Sequence, residues 1–168
     1  ANTAWAFATA GVAARPLFDA IALEVFSDPP NARRRREEFT SQAMANIVWA
    51  FACVCWDDHR TFLRFGSAVA GRLADFSDTQ RSQLYLVASY VALRWPQKVV
   101  DFPLSADSLR PAYTRDEAAP SYLQREIAAS LVQLGWSHVA EHRTAEGFSL
   151  DMADPEKKRA IEVDGPSH

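Results

Sequence analysis

The chain repeats itself, and this constrains its fold more than its composition does. Residues 1–8, Ala-Asn-Thr-Ala-Trp-Ala-Phe-Ala, return as residues 45–52, Ala-Asn-Ile-Val-Trp-Ala-Phe-Ala, with six of eight positions identical at an offset of 44. Phe18 and Phe62 keep that offset, as do Val25 and Val69, so the likeness runs on into a second segment. A third, more divergent copy fits at an offset of 38, where Gln42, Val48, Trp49, Ala50 and Phe51 align with Gln80, Leu86, Val87, Ala88 and Ser89. A repeat of this length is one supersecondary unit whose apolar face only its neighbours can cover.

Within each copy the spacing is helical. Asn46, Trp49, Ala50 and Cys53 follow i, i+3, i+4, i+7, and Phe62, Phe65, Val69 and Leu73 trace a similar stripe. Each unit therefore reads as a pair of helices, and residues 1–98 as an α-helical repeat solenoid. Its Trp-Ala-Phe-Ala signature is expected in the core, with small alanines letting the second helix approach. The six extra residues of the first interval fall in Ser27 to Arg36, where Pro29 and Pro30 forbid a regular helix, so a loop insertion is expected there.

That segment ends in four arginines, Arg33, Arg34, Arg35 and Arg36, partly offset by Glu37 and Glu38. Arg60, Arg64 and Arg72 are expected on one face of the second helix of the middle unit, clear of its phenylalanine stripe. A solvated face is the plain account of both groups; contact with a nucleic-acid backbone is the sharper one. The net charge of −3 is unevenly spread, since residues 1–100 carry 11 basic and 9 acidic side chains and residues 101–168 carry 7 and 12.

Cys53 and Cys55 are the only cysteines. Two apart on a helix, they diverge, which argues against a disulfide framework and for a reducing compartment. With His59 they match no recognised metal-ligand spacing, so buried, inert thiols are expected. No apolar run is long enough to span a bilayer, so no membrane is expected as a partner. The pattern is already helical at Ala1, without a Met or a cap, which suggests a fragment or a processed chain.

Residues 99–119 lose periodicity and contain Pro103 and Pro111, and read as a linker. Ser121 then opens a helix through a capping box with Gln124, its apolar stripe is Leu123, Ile127, Leu131 and Leu134, and Gly135 ends it. Strands follow at His138 to His142, Phe148 to Ala153 and Arg159 to Asp164, with Phe148, Leu150 and Met152 facing the helix. A symmetric hairpin through Asp154 to Lys158 sets Ala153 opposite Ala160 and Asp151 opposite Glu162. Two carboxylates so opposed need a cation, a raised pKa or a basic partner.

These residues resemble a known family. Ser121-x-Leu-Gln-x-Glu-Ile127, Leu131-x-x-Leu-Gly135, Phe148-x-x-Asp151 and Ala160-Ile-Glu-Val-Asp-Gly-Pro-Ser-His168 look like the RAP domain, an RNA-binding module, over residues 120–168. The upstream Ala-Asn-x-x-Trp-Ala-Phe-Ala units resemble the helical repeats of octotricopeptide-repeat and FAST-kinase-like proteins. The resemblance implies a small α/β restriction-endonuclease-like module, C-terminally incomplete here, and an organellar protein, mitochondrial first and plastid as the alternative. It would bind single-stranded RNA or ribosomal RNA, in RNA processing, stability or translation, or as a mitochondrial ribosome component beside ribosomal proteins. The arginines above and His168 would contact RNA, and binding would need no cofactor.

By likeness to the nuclease fold, Asp151, Glu162 and Asp164 occupy its acidic catalytic positions, with Asp151 and Glu162 as magnesium ligands. Asp164 stands where the common motif has Lys, so nothing at that position stabilises the attacking water's anion. A magnesium-dependent endonuclease is therefore the alternative to a binding protein, and Asp151, Glu162 and Asp164 are otherwise a retained structural or RNA-positioning set.

Overall fold

The computed structural model describes residues 1–26, 39–114 and 120–164. The expected insertion with Arg33 to Arg36, and His168, lie outside the described residues. Two compact units, 1–113 and 114–168, divide the chain, and each stands on its own below.

Unit 1 contains the helices α1 (Asn2–Thr9), α2 (Arg15–Phe26), α3 (Ser41–Cys53), α4 (His59–Ala70), α5 (Asp78–Arg94) and α6 (Ala106–Tyr113). Their starts follow local chemistry. Thr40 accepts the Ala43 N–H at 3.1 Å ahead of α3, Asp58 accepts the Arg60 N–H at 3.1 Å ahead of α4, and Ser77 with Gln80 closes a capping box on α5. The repeat also dictates how α1 and α3 end. Val12 donates to the Phe7 carbonyl at 2.8 Å and Trp56 to the Phe51 carbonyl at 3.0 Å, around a left-handed residue that is Gly11 in one copy and Cys55, at φ 52°, in the other.

Helix α3 lies between α1 and α5, and α6 lies on α5. Between copies the same aromatic junction forms twice. Phe18 of α2 meets Phe51 and Trp56 at ring distances of 5.0 and 6.1 Å, with the Arg15 guanidinium 4.8 Å over Trp56. One copy on, Phe62 of α4 meets Tyr90 and Trp95 at 5.3 and 5.7 Å, with the His59 ring 5.3 Å from Trp95. Polar ties run across the copies too: Gln80 donates to Gln42 at 3.0 Å, and Arg94 reaches Asp57 at 2.7 Å.

Two expectations fail in this unit. Residues 99–113 are not a linker: Phe102, Leu104 and Leu109 are buried, and Tyr113 stacks on Tyr85 with ring centroids 4.7 Å apart. Gly66 is what allows this approach, since a Cβ there would stand 2.7 Å from the Phe102 ring and 2.9 Å from Pro103. The second failure concerns the signature. Phe51, Ala50 and Ala52 are buried as expected, but Trp5 is 43% exposed, Trp49 and Asn46 are half-buried and Cys53 is exposed. Helix α3 is covered by neighbours on both flanks, so the Asn46, Trp49, Cys53 row faces outward while Met44, Val48 and Phe51 fill the core.

Unit 2 has α7 (Tyr122–Gln133) and the antiparallel strands β1 (Val139–Arg143), β2 (Ser149–Asp154) and β3 (Arg159–Ile161), in the order β1-β2-β3. The capping box at Ser121 and Gln124 forms, and Gly135 takes φ 78° as Trp136 donates to the Leu131 carbonyl at 2.9 Å. The β2–β3 register sets Ala153 against Ala160, as the symmetric hairpin requires. Strand β3 is shorter than expected, ending at Ile161. Met152 is buried, whereas Phe148 and Leu150 are half-buried, and no residue of α7 is fully buried.

Candidate nucleic-acid interface

The acidic hairpin comes from pairing rules. Extending the Met152–Ile161 pairing by one step brings Asp151 level with Glu162, and the flanking pairs Ala140–Met152 and His142–Leu150 bring Glu141 level with Asp151. Three carboxylates thus lie across the sheet, and Glu141 was missing from the sequence-based set. The alternation that exposes Glu162 and Asp164 was visible in the sequence; Glu141 needed the β1–β2 register.

Each carboxylate is engaged locally. Asp151 Oδ2 accepts the Val163 N–H at 2.7 Å and so holds the chain in line where β3 has ended. Glu141 accepts from Gln124 Nε2 at 3.4 Å and Ser149 Oγ at 3.2 Å. Partial burial and the Asp151 carboxylate push the Glu162 carboxyl above its ordinary value; a hydrogen bond from the Asp151 backbone opposes this, and Asp164 and Glu141 add to it. Among the described residues no three His, Cys, Asp or Glu side chains are placed to hold a metal ion. Asp151 and Glu141 thus already accept from backbone and side-chain donors on the sheet and on α7.

The expected arginine ridge does not form. Arg64 folds back onto α2, donating to the Phe26 carbonyl at 2.5 Å with its guanidinium 4.7 Å over the Phe26 ring. Arg72 lies beyond the end of α4 and pairs with Asp75 at 3.7 Å. Arg60 remains exposed, its charge felt at Asp58. A one-face reading of 60, 64 and 72 assumed a helix long enough to hold all three, and α4 stops at Ala70.

The outer face of the first helices carries different chemistry. Asn46 Oδ1 accepts from Gln42 Nε2 at 2.7 Å and from Gln83 Nε2 at 3.3 Å, which ties α3 to α5 through amides. Trp56, Trp95 and Trp136 each lie against another ring; the signature tryptophans Trp5 and Trp49 touch no ring or cation among the described residues. This face was hidden in the sequence because its tryptophans read as core. The cysteines differ from expectation too: both residues are exposed and unpaired, and partial desolvation of the Cys53 sulfur, reinforced by Cys55, pushes its thiol up to about 11. A cavity of about 190 Å³ beside Arg15, Phe18, Cys55 and Trp56 is smaller than an ordinary ligand pocket.

Among curated proteins the chain is similar to a chloroplastic RAP domain-containing protein of Oryza sativa subsp. japonica, with 28% identity over 148 residues. The match takes in 77% of this chain, more than either unit holds alone, and 22% of the rice protein, so the chain spans about a fifth of that relative's length. It supports a relationship to RAP-domain proteins. No family model matches the chain. No solved structure matches it. No helix among the described residues is long and apolar enough to cross a membrane.

Proposed function

We propose that the chain is part of an organellar RNA-binding protein, in which stacked helix pairs hold single-stranded RNA and the small α/β module grips a terminus or a structured element. One observation carries this reading: the likeness to the RAP domain-containing protein is too long for either unit alone and so reaches into both. The recurring aromatic junction supports the helix-pair arrangement. The rice relative's chloroplastic description favours the plastid over the mitochondrion. Transcript processing, stability or translation is the role that suits such a protein; ribosomal RNA and ribosomal proteins are the partners in the ribosome-bound version of it.

The magnesium-nuclease alternative gains no such support. Glu141, Asp151 and Glu162 are level across the sheet, but their oxygens are divided among local donors, and Asp164 offers no cation to steady an attacking water.

Filter binding of single-stranded RNA across a salt series tests the reading. Phosphate contacts require the logarithm of affinity to fall linearly with the logarithm of salt concentration. Absence of binding at the lowest salt would overturn it.

A further inference from the structure

Of the two aromatic junctions, the second is barred at its mouth and the first is open. Phe18 and Phe62 are 44 positions apart, and so are Ala13 and Asp57; Trp56 and Trp95 are 39 apart, and so are Cys55 and Arg94. At the second junction Asp57 and Arg94 close on each other as a salt bridge at 2.7 Å. At the first, the same two positions hold the short side chains of Ala13 and Cys55, and both residues line the cavity of about 190 Å³ that stands there.

The chemistry of this cavity is lopsided. Phe18, Val54 and Trp56 give it apolar walls, and Arg15 and Asp57 are its charged groups. The Asp57 carboxylate is already matched by Arg94. The Arg15 guanidinium lies 4.8 Å over the Trp56 ring and has no ion pair or hydrogen bond among the described residues. One unmatched cation therefore overlooks an apolar recess. Trp56 itself is only 8% exposed, and its Nε1 is a buried donor without an acceptor among the described residues, a state that costs stability until an acceptor arrives.

Size narrows the ligand. A cavity of about 150 Å³ takes a benzene ring, so one of about 190 Å³ holds such a ring with a carboxyl group and nothing as large as a nucleotide. A guanidinium stacked on an indole keeps its in-plane N–H groups free, and these pair with a carboxylate through two parallel hydrogen bonds. We propose that this cavity binds a small aromatic carboxylic acid, its ring in the recess walled by Phe18, Val54 and Trp56, its carboxylate on Arg15, and Cys55 at the mouth. The bound acid takes the place of the bridge that the second junction has and the first lacks. The assignment stands apart from the RNA-binding reading and holds whether or not the chain binds RNA.

Calorimetric titration of the whole chain with benzoate, benzyl alcohol and inorganic phosphate tests it. Benzoate binds; benzyl alcohol, which has the ring without the charge, binds about 10-fold more weakly or worse; phosphate, which has the charge without the ring, shows no binding over the same range. Arg15→Met keeps an apolar stem over Trp56 and lowers benzoate affinity about 10- to 100-fold, and Ala13→Asp combined with Cys55→Arg installs the bridge of the second junction and abolishes binding. Bound benzoate also slows alkylation of Cys55 by iodoacetamide, read by mass spectrometry, while Cys53, which is outside the cavity wall, reacts at an unchanged rate. Circular dichroism reports whether the variants fold; if they do not, the ligand series and the protection of Cys55 in the native protein still decide. Absence of benzoate binding, or benzoate binding that a folded Arg15→Met protein retains in full, overturns the assignment. Phosphate binding as tightly as benzoate overturns it too, because the site then reads charge alone, and so does equal affinity for benzyl alcohol, which leaves the guanidinium without a role.

Discussion

Unit 1 and unit 2 both begin from amphipathic helices, but they bury them to very different extents. In unit 1, Phe18, Phe51, Phe62 and Phe65 are fully enclosed, together with Met44, Leu84 and Leu109. In unit 2, Met152 and Ala153 are the buried apolar residues among those described, while Leu123 on α7 and Leu134 just past its end stand 40% and 82% exposed. The difference is one of neighbours. In unit 1 helices pack on helices, α3 between α1 and α5 and α6 on α5, so apolar stripes cover one another; α7 has a three-stranded sheet of short strands beside it in the chain. Apolar periodicity tells which stripe of a helix seeks cover, not whether cover of the right shape is at hand.

The largest effect expected from breaking this contrast lies in the enclosed ring of unit 1. Phe51→Ala removes contacts to Phe18, Phe65 and Trp56 at once, and should cost about 3–5 kcal/mol. Urea unfolding followed by tryptophan fluorescence reads the loss, and hydrogen exchange should place it in residues 1–113 while β1 to β3 keep their protection. Comparable loss in both units would erase the distinction between them.

Next comes the boundary. Gly66→Ala forces a Cβ against Phe102 and Pro103, so it should destabilise unit 1 by about 1–3 kcal/mol, with protection lost in α4 and in residues 99–113 together. An effect confined to α4 would return those residues to the status of a linker.

A smaller effect is expected at the start of α4. Burial pushes the Asp58 carboxyl up, but hydrogen bonds from the Thr61 hydroxyl and from the Arg60 and Thr61 backbones, with the Arg60 charge, outweigh it and hold the carboxyl below its ordinary value. A depressed folded pKa means a contribution present above the unfolded value, near pH 4, and lost as pH falls through the folded one. Asp58→Ala should cost about 1 kcal/mol at pH 7, and the gap between the two proteins should close under acid.

The smallest effect belongs to unit 2 and has the opposite sign. The Glu162 carboxyl is raised, so its charged form is the disfavoured one in the folded hairpin: no penalty below the unfolded pKa, and a growing one as pH rises through the folded value. Solvent screening of this exposed carboxylate keeps the effect small, so Glu162→Gln should stabilise unit 2 by no more than about 0.5 kcal/mol at neutral pH and by nothing in acid, measured by exchange protection of β2 and β3. A variant less stable at pH 7 would show that the carboxylate is needed in its charged form.

Much of this arrangement was legible in the residues. The offset of 38 set Gln42 beside Gln80, the Ser121 and Gly135 signals bounded α7, and hairpin symmetry placed Ala153 against Ala160. The signature was misread for a physical reason. A helix flanked on both sides buries most of its circumference, so its outward strip is narrow, and Asn46, Trp49 and Cys53 looked apolar enough to be core. Pro111 reads as a breaker in the sequence, yet it lies within α6, which packs back onto α5. The arginine ridge failed because spacing does not show where a helix ends or which carbonyl a guanidinium will find.

The aromatic junction that forms at Phe18 and again at Phe62 links residues 28 to 38 positions apart in the chain. Order in unit 1 is then a matter of adjacent copies holding each other, and the cost of freeing one copy is set by the junctions on either side of it. The rings at these junctions thus decide how far along the chain a local opening can spread before the next copy halts it.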